Sequence, residues 1–115
     1  MKIIIDECLP VDIKKLFNDY EIYTIRDLNW TGLKNGQLLE KIVENNFDIF
    51  LTVDKKLRFQ QNLKGIKLSF IILDIIRNKT EEVIQIKQLI IEAFNTIKQS
   101  EVYIVSFKEG ISKLK

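Results

Sequence analysis

Short apolar runs recur along the chain and are separated by segments of mixed polarity. Residues 2–5 form the first run, and its position directly before Asp6 predicts a short buried strand. Residues 21–25 alternate between polar and apolar and are rich in β-branched side chains, which also predicts a strand. Three more strands are predicted from similar patterns, at residues 47–53, 67–73 and 101–107.

Segments with a helical period lie between these strands. Ile13, Leu16 and Phe17 are spaced as i, i+3 and i+4, which predicts an amphipathic helix over about residues 10–19. Pro10 suits the first turn of that helix, because the missing amide hydrogen is not needed there. Two further helices are expected over about residues 36–46, capped by Asn35 or Gly36, and over residues 55–63.

The longest predicted helix covers residues 78–98. Asn78 and Glu81 are spaced like the two members of a capping box, which places the helix start at Asn78. An apolar stripe that includes Val83, Ile86 and Ile90 continues without interruption along it. The last eight residues of the chain are mostly polar, and we expect them to fray.

The order of these elements alternates strictly between strand and helix. Such alternation is typical of an α/β domain with a mainly parallel central sheet and helices on both faces. The pattern predicts about five strands in a three-layer arrangement, and 115 residues fit one domain over residues 1–115. The strand at 101–107 suits an edge of the sheet and is compatible with either direction.

Composition excludes several kinds of chemistry. The chain has no histidine and one cysteine, Cys8, so histidine-based catalysis, thiolate-rich zinc sites and internal disulfides are excluded. A net charge of +2 excludes a strongly basic tail but leaves a local basic patch open. No apolar run approaches the roughly 18 residues of a membrane span, and the acidic residues after residue 5 come too early for a signal peptide. We therefore expect a cytoplasmic protein without a membrane partner.

Three of the seven aspartates directly follow a predicted strand: Asp6, Asp54 and Asp74. Parallel strands bring such residues to one edge of the sheet, where ligands of α/β domains bind. Clustered carboxylates repel one another unless a cation neutralises them, and oxygen ligands without histidine favour Mg²⁺ or Mn²⁺ over Zn²⁺. Such an ion orients water and stabilises a phosphodiester transition state.

Structural explanations for these aspartates are also open. Asp54 stands where the N-cap of the helix at 55–63 is expected. A structural role is also open to Asp6, in which it ends the strand and its carboxylate accepts hydrogen bonds from backbone amides of the following turn. Asp74 is the weakest candidate, since Arg77 or Lys79 is close enough in sequence to pair with it.

Basic, aromatic and amide side chains alternate directly after Asp54. This composition suits RNA, because cations hold phosphates, Phe59 stacks on a base and amides bind base edges. The alternative is a solvated helix face with Leu57 and Leu63 packed inward. The candidate RNA-binding residues are Lys55, Lys56, Arg58, Gln61 and Asn62.

Four sequence blocks, at residues 6–10, 24–36, 47–54 and 60–63, resemble in content and order the small PIN-like proteins, relatives of PIN-domain toxins. The resemblance covers nearly the whole chain. It implies a PIN-like fold, metal-dependent endoribonuclease activity and a place as the toxin of a toxin–antitoxin pair. It makes Asp6 and Asp54 the catalytic residues and metal ligands, with Glu7 as a companion ligand. Asn35 stands where many relatives carry an aspartate, so it would ligate the metal through its amide oxygen, without charge.

Two other functions remain open. The first is a catalytically silent module that binds RNA or a partner protein, since a neutral Asn35 in place of an aspartate is also expected in an inactive site. Phosphotransfer on Asp54, as in signalling receivers, is the third hypothesis, although no convincing lysine ends the last strand. The partners expected are RNA, an antitoxin protein and a second copy of the chain, for which the apolar segment around Trp30 offers a surface.

Overall fold

Six strands form one sheet in the computed structural model, which describes residues 1–56 and 66–114 without the side chains of Asn35 and Leu114. In spatial order they are β2-β1-β3-β4-β5-β6. The first five in this order are parallel to one another, and β6 is antiparallel to β5. The strands are β1 Lys2–Ile5, β2 Glu21–Thr24, β3 Ile49–Thr52, β4 Ser69–Asp74, β5 Val102–Ser106 and β6 Gly110–Leu114.

Helical segments connect most of these strands. Two that lie wholly within the described residues are short 3-10 helices, the first over Val11–Phe17 and the second over Arg26–Leu28. The α-helices are α1 (Asn35–Glu44), α2 (Thr80–Gln85) and α3 (Lys87–Thr96).

Apolar side chains cover both faces of the sheet, as continuous apolar strands of a parallel sheet require. Ile3 and Ile5 of β1 point to one face and Ile4 to the other, because side chains alternate along a strand. The first 3-10 helix, α2 and α3 pack on the face of Ile3, and α1 packs on the face of Ile4. The molecule is therefore a three-layer α/β domain with a mostly parallel sheet, as its sequence pattern predicts.

Two predicted helices differ from those observed. The segment predicted as an α-helix over 10–19 is a 3-10 helix. Ile13 and Phe17 are buried in it, and a helix of this length can bury both residues in either helix type, so the apolar spacing did not distinguish the two. The predicted helix over 78–98 is interrupted at Ile86, which has φ −110° and ψ 14° and separates α2 from α3. Its apolar stripe continues across the break, so periodicity could not reveal it.

Helix starts and the C-terminal residues also differ from prediction. Lys34 occupies the N-cap position of α1, rather than Asn35 or Gly36. Lys79 and Glu82, rather than Asn78 and Glu81, form the start of α2, where the Lys79 amide donates to the Glu82 carboxylate. The expectation that the last eight residues fray is wrong, since β6 pairs with β5 after a turn that ends at Gly110, with φ 73°.

No helix among the described residues is long and apolar enough to cross a membrane. The helix predicted over 55–63 lies mostly outside the described residues.

Three carboxyl groups have a lowered pKa. A hydrogen bond from Lys14 is the main cause at Asp27, and a hydrogen bond from a lysine of β6 is the main cause at Glu101. At Glu82 desolvation raises the pKa, but the backbone amides of the turn at 76–79 outweigh it by donating to the carboxylate. The folded protein therefore holds these three groups in their ionised form.

Acid should destabilise the fold through these groups. A carboxyl whose pKa is lowered by folding contributes stability above its unfolded pKa of about 4, and that stability is lost as the pH falls through the lowered folded value. We expect the urea midpoint to be level between about pH 7 and 5 and to fall below about pH 4. In the Asp27→Asn variant, the urea midpoint should fall less steeply with decreasing pH below about pH 4. A midpoint independent of pH down to about pH 3 would contradict this.

Candidate active site at the carboxyl edge of the sheet

Asp6 and Asp54 lie at the carboxyl ends of neighbouring strands. Asp6 follows β1 directly, and its amide donates to the carbonyl of Leu51 in β3 at 2.9 Å. Asp54 is two residues beyond the end of β3. The chain continues from β1 to β2 on one side and from β3 to β4 on the other, so the strand order reverses between β1 and β3. Ligands of open α/β sheets bind at such a reversal.

Thr52 connects the two aspartates. Its side chain is fully buried, and its hydroxyl donates to Oδ2 of Asp6 at 2.6 Å and accepts the amide of Asp54 at 3.1 Å. Sequence reasoning did not identify Thr52. The signal was present, because a hydroxyl within the apolar run Phe50–Val53 needs a partner when it is buried.

The side chain of Asp54 also has a structural role. Its Oδ1 accepts the backbone amide of Lys56 at 3.0 Å, which is the bond expected of an N-cap residue. A carboxylate has a second oxygen with its own acceptor capacity. The capping interpretation of Asp54 and the ligand interpretation are therefore compatible with each other.

A small pocket of about 70 Å³ opens beside Asp6. Glu7 is exposed and lines this pocket together with Asp6, and Arg26 and Thr31 also contribute to its lining. Within the described part of the chain, no three acidic or cysteine side chains are close enough to one another to hold a metal ion. Asp6, Glu7 and Asp54 thus do not form a ready three-carboxylate cage.

Asp74 ends β4 but has a different environment. Oδ1 of Asp74 is 2.5 Å from the ammonium of Lys55, and both side chains are about half exposed. It was expected to pair with Arg77 or Lys79 if its role is structural, and its partner is Lys55 instead. Asp74 lines another pocket, of about 370 Å³, between α2 and the turn from β5 to β6.

The predicted RNA-binding residues are only partly described. Lys55 and Lys56 are exposed at the same edge as Asp54, although the ammonium of Lys55 is paired with Asp74. Arg58, Gln61 and Asn62 lie outside the described residues. Asn35 is the first residue of α1, and its side chain, predicted as a metal ligand, also lies outside them.

Asp27 is a further carboxylate just beyond the end of β2. Its Oδ2 accepts the ammonium of Lys14 at 2.8 Å and the amide of Thr24 at 2.9 Å. These bonds lower its pKa and direct the carboxylate to the turn after β2. Asp27 therefore stabilises this turn.

Cys8 is near the site but has the properties of a bystander. Its sulfur is 3.8 Å from the hydroxyl of Thr52. Desolvation raises the pKa of the Cys8 thiol, and the charge of Asp6 raises it further. A neutral thiol without a histidine is a poor nucleophile.

Removing the hydroxyl of Thr52 should weaken the fold and the site together. Thr52→Val keeps the shape but leaves the Asp54 amide and the Asp6 carboxylate without this partner, so we expect a loss of about 1–3 kcal/mol in the free energy of unfolding. Thr52→Ser retains the hydroxyl and should cost less. Urea denaturation measures both variants, and equal losses would contradict the bridging role.

Comparisons with known protein families, with curated proteins and with solved structures found no match to this chain. The chemistry of the carboxyl edge is therefore inferred from its own residues. It combines the Asp6 carboxylate, an exposed glutamate and an arginine around a small pocket, and a buried hydroxyl that bonds to the Asp6 carboxylate and to the backbone amide of Asp54. Such a set suits a divalent cation and an anion that bind together.

Proposed function

We propose that the chain is a PIN-like domain and a Mg²⁺- or Mn²⁺-dependent endoribonuclease, acting as the toxin of a toxin–antitoxin pair. One observation carries the proposal: Asp6 and Asp54 lie at the reversal of strand order and are linked through the buried hydroxyl of Thr52. The four PIN-like sequence blocks add the reaction type and the toxin role. Two of these blocks contain Asp6 and Asp54 themselves.

The donor set fits a hard divalent cation. Asp6 and Asp54 would hold it, with Glu7 and the amide of Asn35 as further ligands. Mg²⁺ in proteins is commonly held by one or two carboxylates together with waters and substrate phosphates, so a three-carboxylate cage is not required. When bound, the ion supplies an activated water and stabilises the charge that develops on the phosphodiester.

Other residues serve to bind the RNA and to fix the ligands. Thr52 holds Asp6 in one orientation by donating to one of its oxygens. Lys56 is exposed beside Asp54 and is placed to hold a backbone phosphate. Lys55 would do the same after exchanging its pairing with Asp74, which costs little because a half-exposed ion pair contributes little.

The proposal is tested by a cleavage assay on the purified chain. Labelled structured and unstructured RNAs are incubated with Mg²⁺, with Mn²⁺ and with a chelator. Cleavage that requires either metal supports the proposal. Absence of cleavage, together with metal-independent RNA binding, would favour the silent module that the neutral Asn35 suggests.

Metal binding itself is measured by calorimetric titration with Mn²⁺. We expect weak binding in the absence of RNA, because only part of the coordination shell comes from the protein. Repeating the titration with a non-cleavable RNA distinguishes a site completed by substrate from no site at all. Heat that appears only with RNA present would indicate a substrate-completed site.

Phosphotransfer on Asp54 is the second candidate, and the strand order favours it. The order β2-β1-β3-β4-β5 is that of flavodoxin-like doubly wound sheets, in which an aspartate after β3 would lie at the ligand edge. Lys108 is the lysine nearest the end of β5, but it lines the pocket of Asp74 rather than that of Asp6. Incubation with a small acyl phosphate followed by mass analysis tests it, since labelled Asp54 would support this function.

A further inference from the structure

We propose that Arg26 binds a backbone phosphate of the RNA in the pocket that Asp6 and Glu7 also line. This inference rests on the proposed function and gives the site a substrate-binding residue on the turn after β2. Arg26 lies in the second 3-10 helix and within the PIN-like block at residues 24–36, but the sequence pattern assigned it no role in the site.

The pocket contains opposite charges that do not neutralise each other. Asp6, Glu7 and Arg26 all line it. Among residues 1–56 and 66–114, however, Arg26 forms no ion pair with any carboxylate, and neither Asp6 nor Glu7 pairs with a cation. A guanidinium and carboxylates that share a pocket without contact leave room for a ligand between them. A divalent cation with a bound phosphate satisfies both, because the carboxylates take the cation and the guanidinium takes the anion.

The turn that carries Arg26 is fixed from both sides. The amide of Thr24 donates to Oδ2 of Asp27, and the amide of Asp27 donates back to the hydroxyl of Thr24, at 2.9 and 3.0 Å. Asn29, with φ 60°, closes the turn by donating its amide to the carbonyl of Arg26 at 3.1 Å. The ion pair of Asp27 with Lys14 holds the turn against the first 3-10 helix. The backbone of Arg26 is thus held in place before any ligand binds, which favours binding.

The size of the pocket indicates which part of a nucleic acid it takes. Pockets that enclose a whole drug-sized molecule measure roughly 300–1,000 Å³, and this one has about 70 Å³. It admits a phosphate group and bound water, whereas a nucleoside would remain outside. A guanidinium binds phosphate through two parallel hydrogen bonds, which a lysine cannot reproduce. Binding in this pocket should therefore depend on the phosphate backbone of the RNA and be equally strong for different RNA sequences.

The test measures binding rather than cleavage. A fluorescent 2′-O-methyl RNA is titrated with the full chain in the presence of Mn²⁺, and anisotropy gives the affinity. Arg26→Gln should weaken binding about 10- to 100-fold, and by a similar factor for RNAs of different sequence. Arg26→Lys should fall between this variant and the wild type. Arg77→Gln is the matched control, because Arg77 is exposed and is not among the residues that line this pocket.

Two further measurements distinguish phosphate binding from a structural role. Arg26→Gln should leave the thermal midpoint unchanged, and its Mn²⁺ affinity without RNA should be equal or higher, since a nearby positive charge has been removed. Equal losses of RNA affinity in Arg26→Gln and Arg77→Gln would overturn the proposal. So would an unchanged RNA affinity in Arg26→Gln, or a wild-type protein that does not bind RNA. RNA binding that depends on Arg26, without cleavage in any metal, would refute the nuclease and leave the Arg26 contact standing.

Discussion

Replacing Asp6 or Asp54 by asparagine is expected to lower the rate of RNA cleavage by about 10³-fold. A bound divalent cation stabilises the transition state by several kcal/mol, and each 1.36 kcal/mol corresponds to a factor of ten in rate. Asparagine keeps the size of the side chain and one oxygen but removes the charge that attracts the cation. The double variant should also lose the heat of Mn²⁺ binding in calorimetry.

The structure offers a matched control for this experiment. Asp19 is an exposed aspartate in the turn before β2, at the opposite edge of the sheet, so Asp19→Asn should cleave at the wild-type rate. The thermal midpoints of all variants should stay close to that of the wild type, because the asparagine oxygen still accepts the Thr52 hydroxyl at position 6 and the Lys56 amide at position 54. Cleavage that persists in both Asp6→Asn and Asp54→Asn would refute the assignment.

Replacing Phe94 by alanine is expected to lower the free energy of unfolding by about 3–5 kcal/mol. Phe94 is 2% exposed in α3, and its ring meets those of Phe17 and Tyr20 edge to face, with centroids 5.3 and 5.1 Å away. Alanine leaves a cavity between α3 and the first 3-10 helix and removes both aromatic contacts. Small domains are stable by only about 5–15 kcal/mol in total, so urea denaturation should show a large shift of the midpoint.

Phe107 provides the comparison for Phe94. It is 73% exposed in the turn between β5 and β6, so Phe107→Ala should change the free energy of unfolding by no more than about 0.5 kcal/mol. Similar losses in the two variants would show that α3 does not depend on its packing against the first 3-10 helix.

The sequence pattern predicted strands better than helices, for a physical reason. Strands buried on both faces are continuous apolar runs, and those of β1 and β4 stand out in this chain. The start of β1 and its end at Ile5 were predicted correctly. Helix ends depend on tertiary contacts, which the hydrophobic periodicity of the sequence does not reveal. Ile86 is buried with the same spacing as its neighbours, yet its backbone leaves the helix there.

The candidate site could be predicted only in part. Asp6 and Asp54 were identified because each follows an apolar strand, and the parallel order brings those strand ends together. Arg26 was not, because its link to Asp6 runs through the pairing of β1 with β2 and the turn after it. A single charged residue in an irregular segment belongs to no hydrophobic period from which its position in the fold could be predicted. β6 was missed because its hairpin signal is only Gly110 after a polar turn.

The position of β1 has a consequence for how the chain folds. β1 is synthesised before the other five strands of this sheet, yet it lies inside the sheet, where Ile3 pairs with Ile22 on one side and with Ile49 on the other. A nascent chain that ends before β3 leaves one edge of β1 unpaired, with its isoleucines exposed to aggregation. Pairing across such a separation is slow, because the loop must close before its contacts form. The edge that carries Asp6 and Asp54 is thus completed only when β3 pairs with β1.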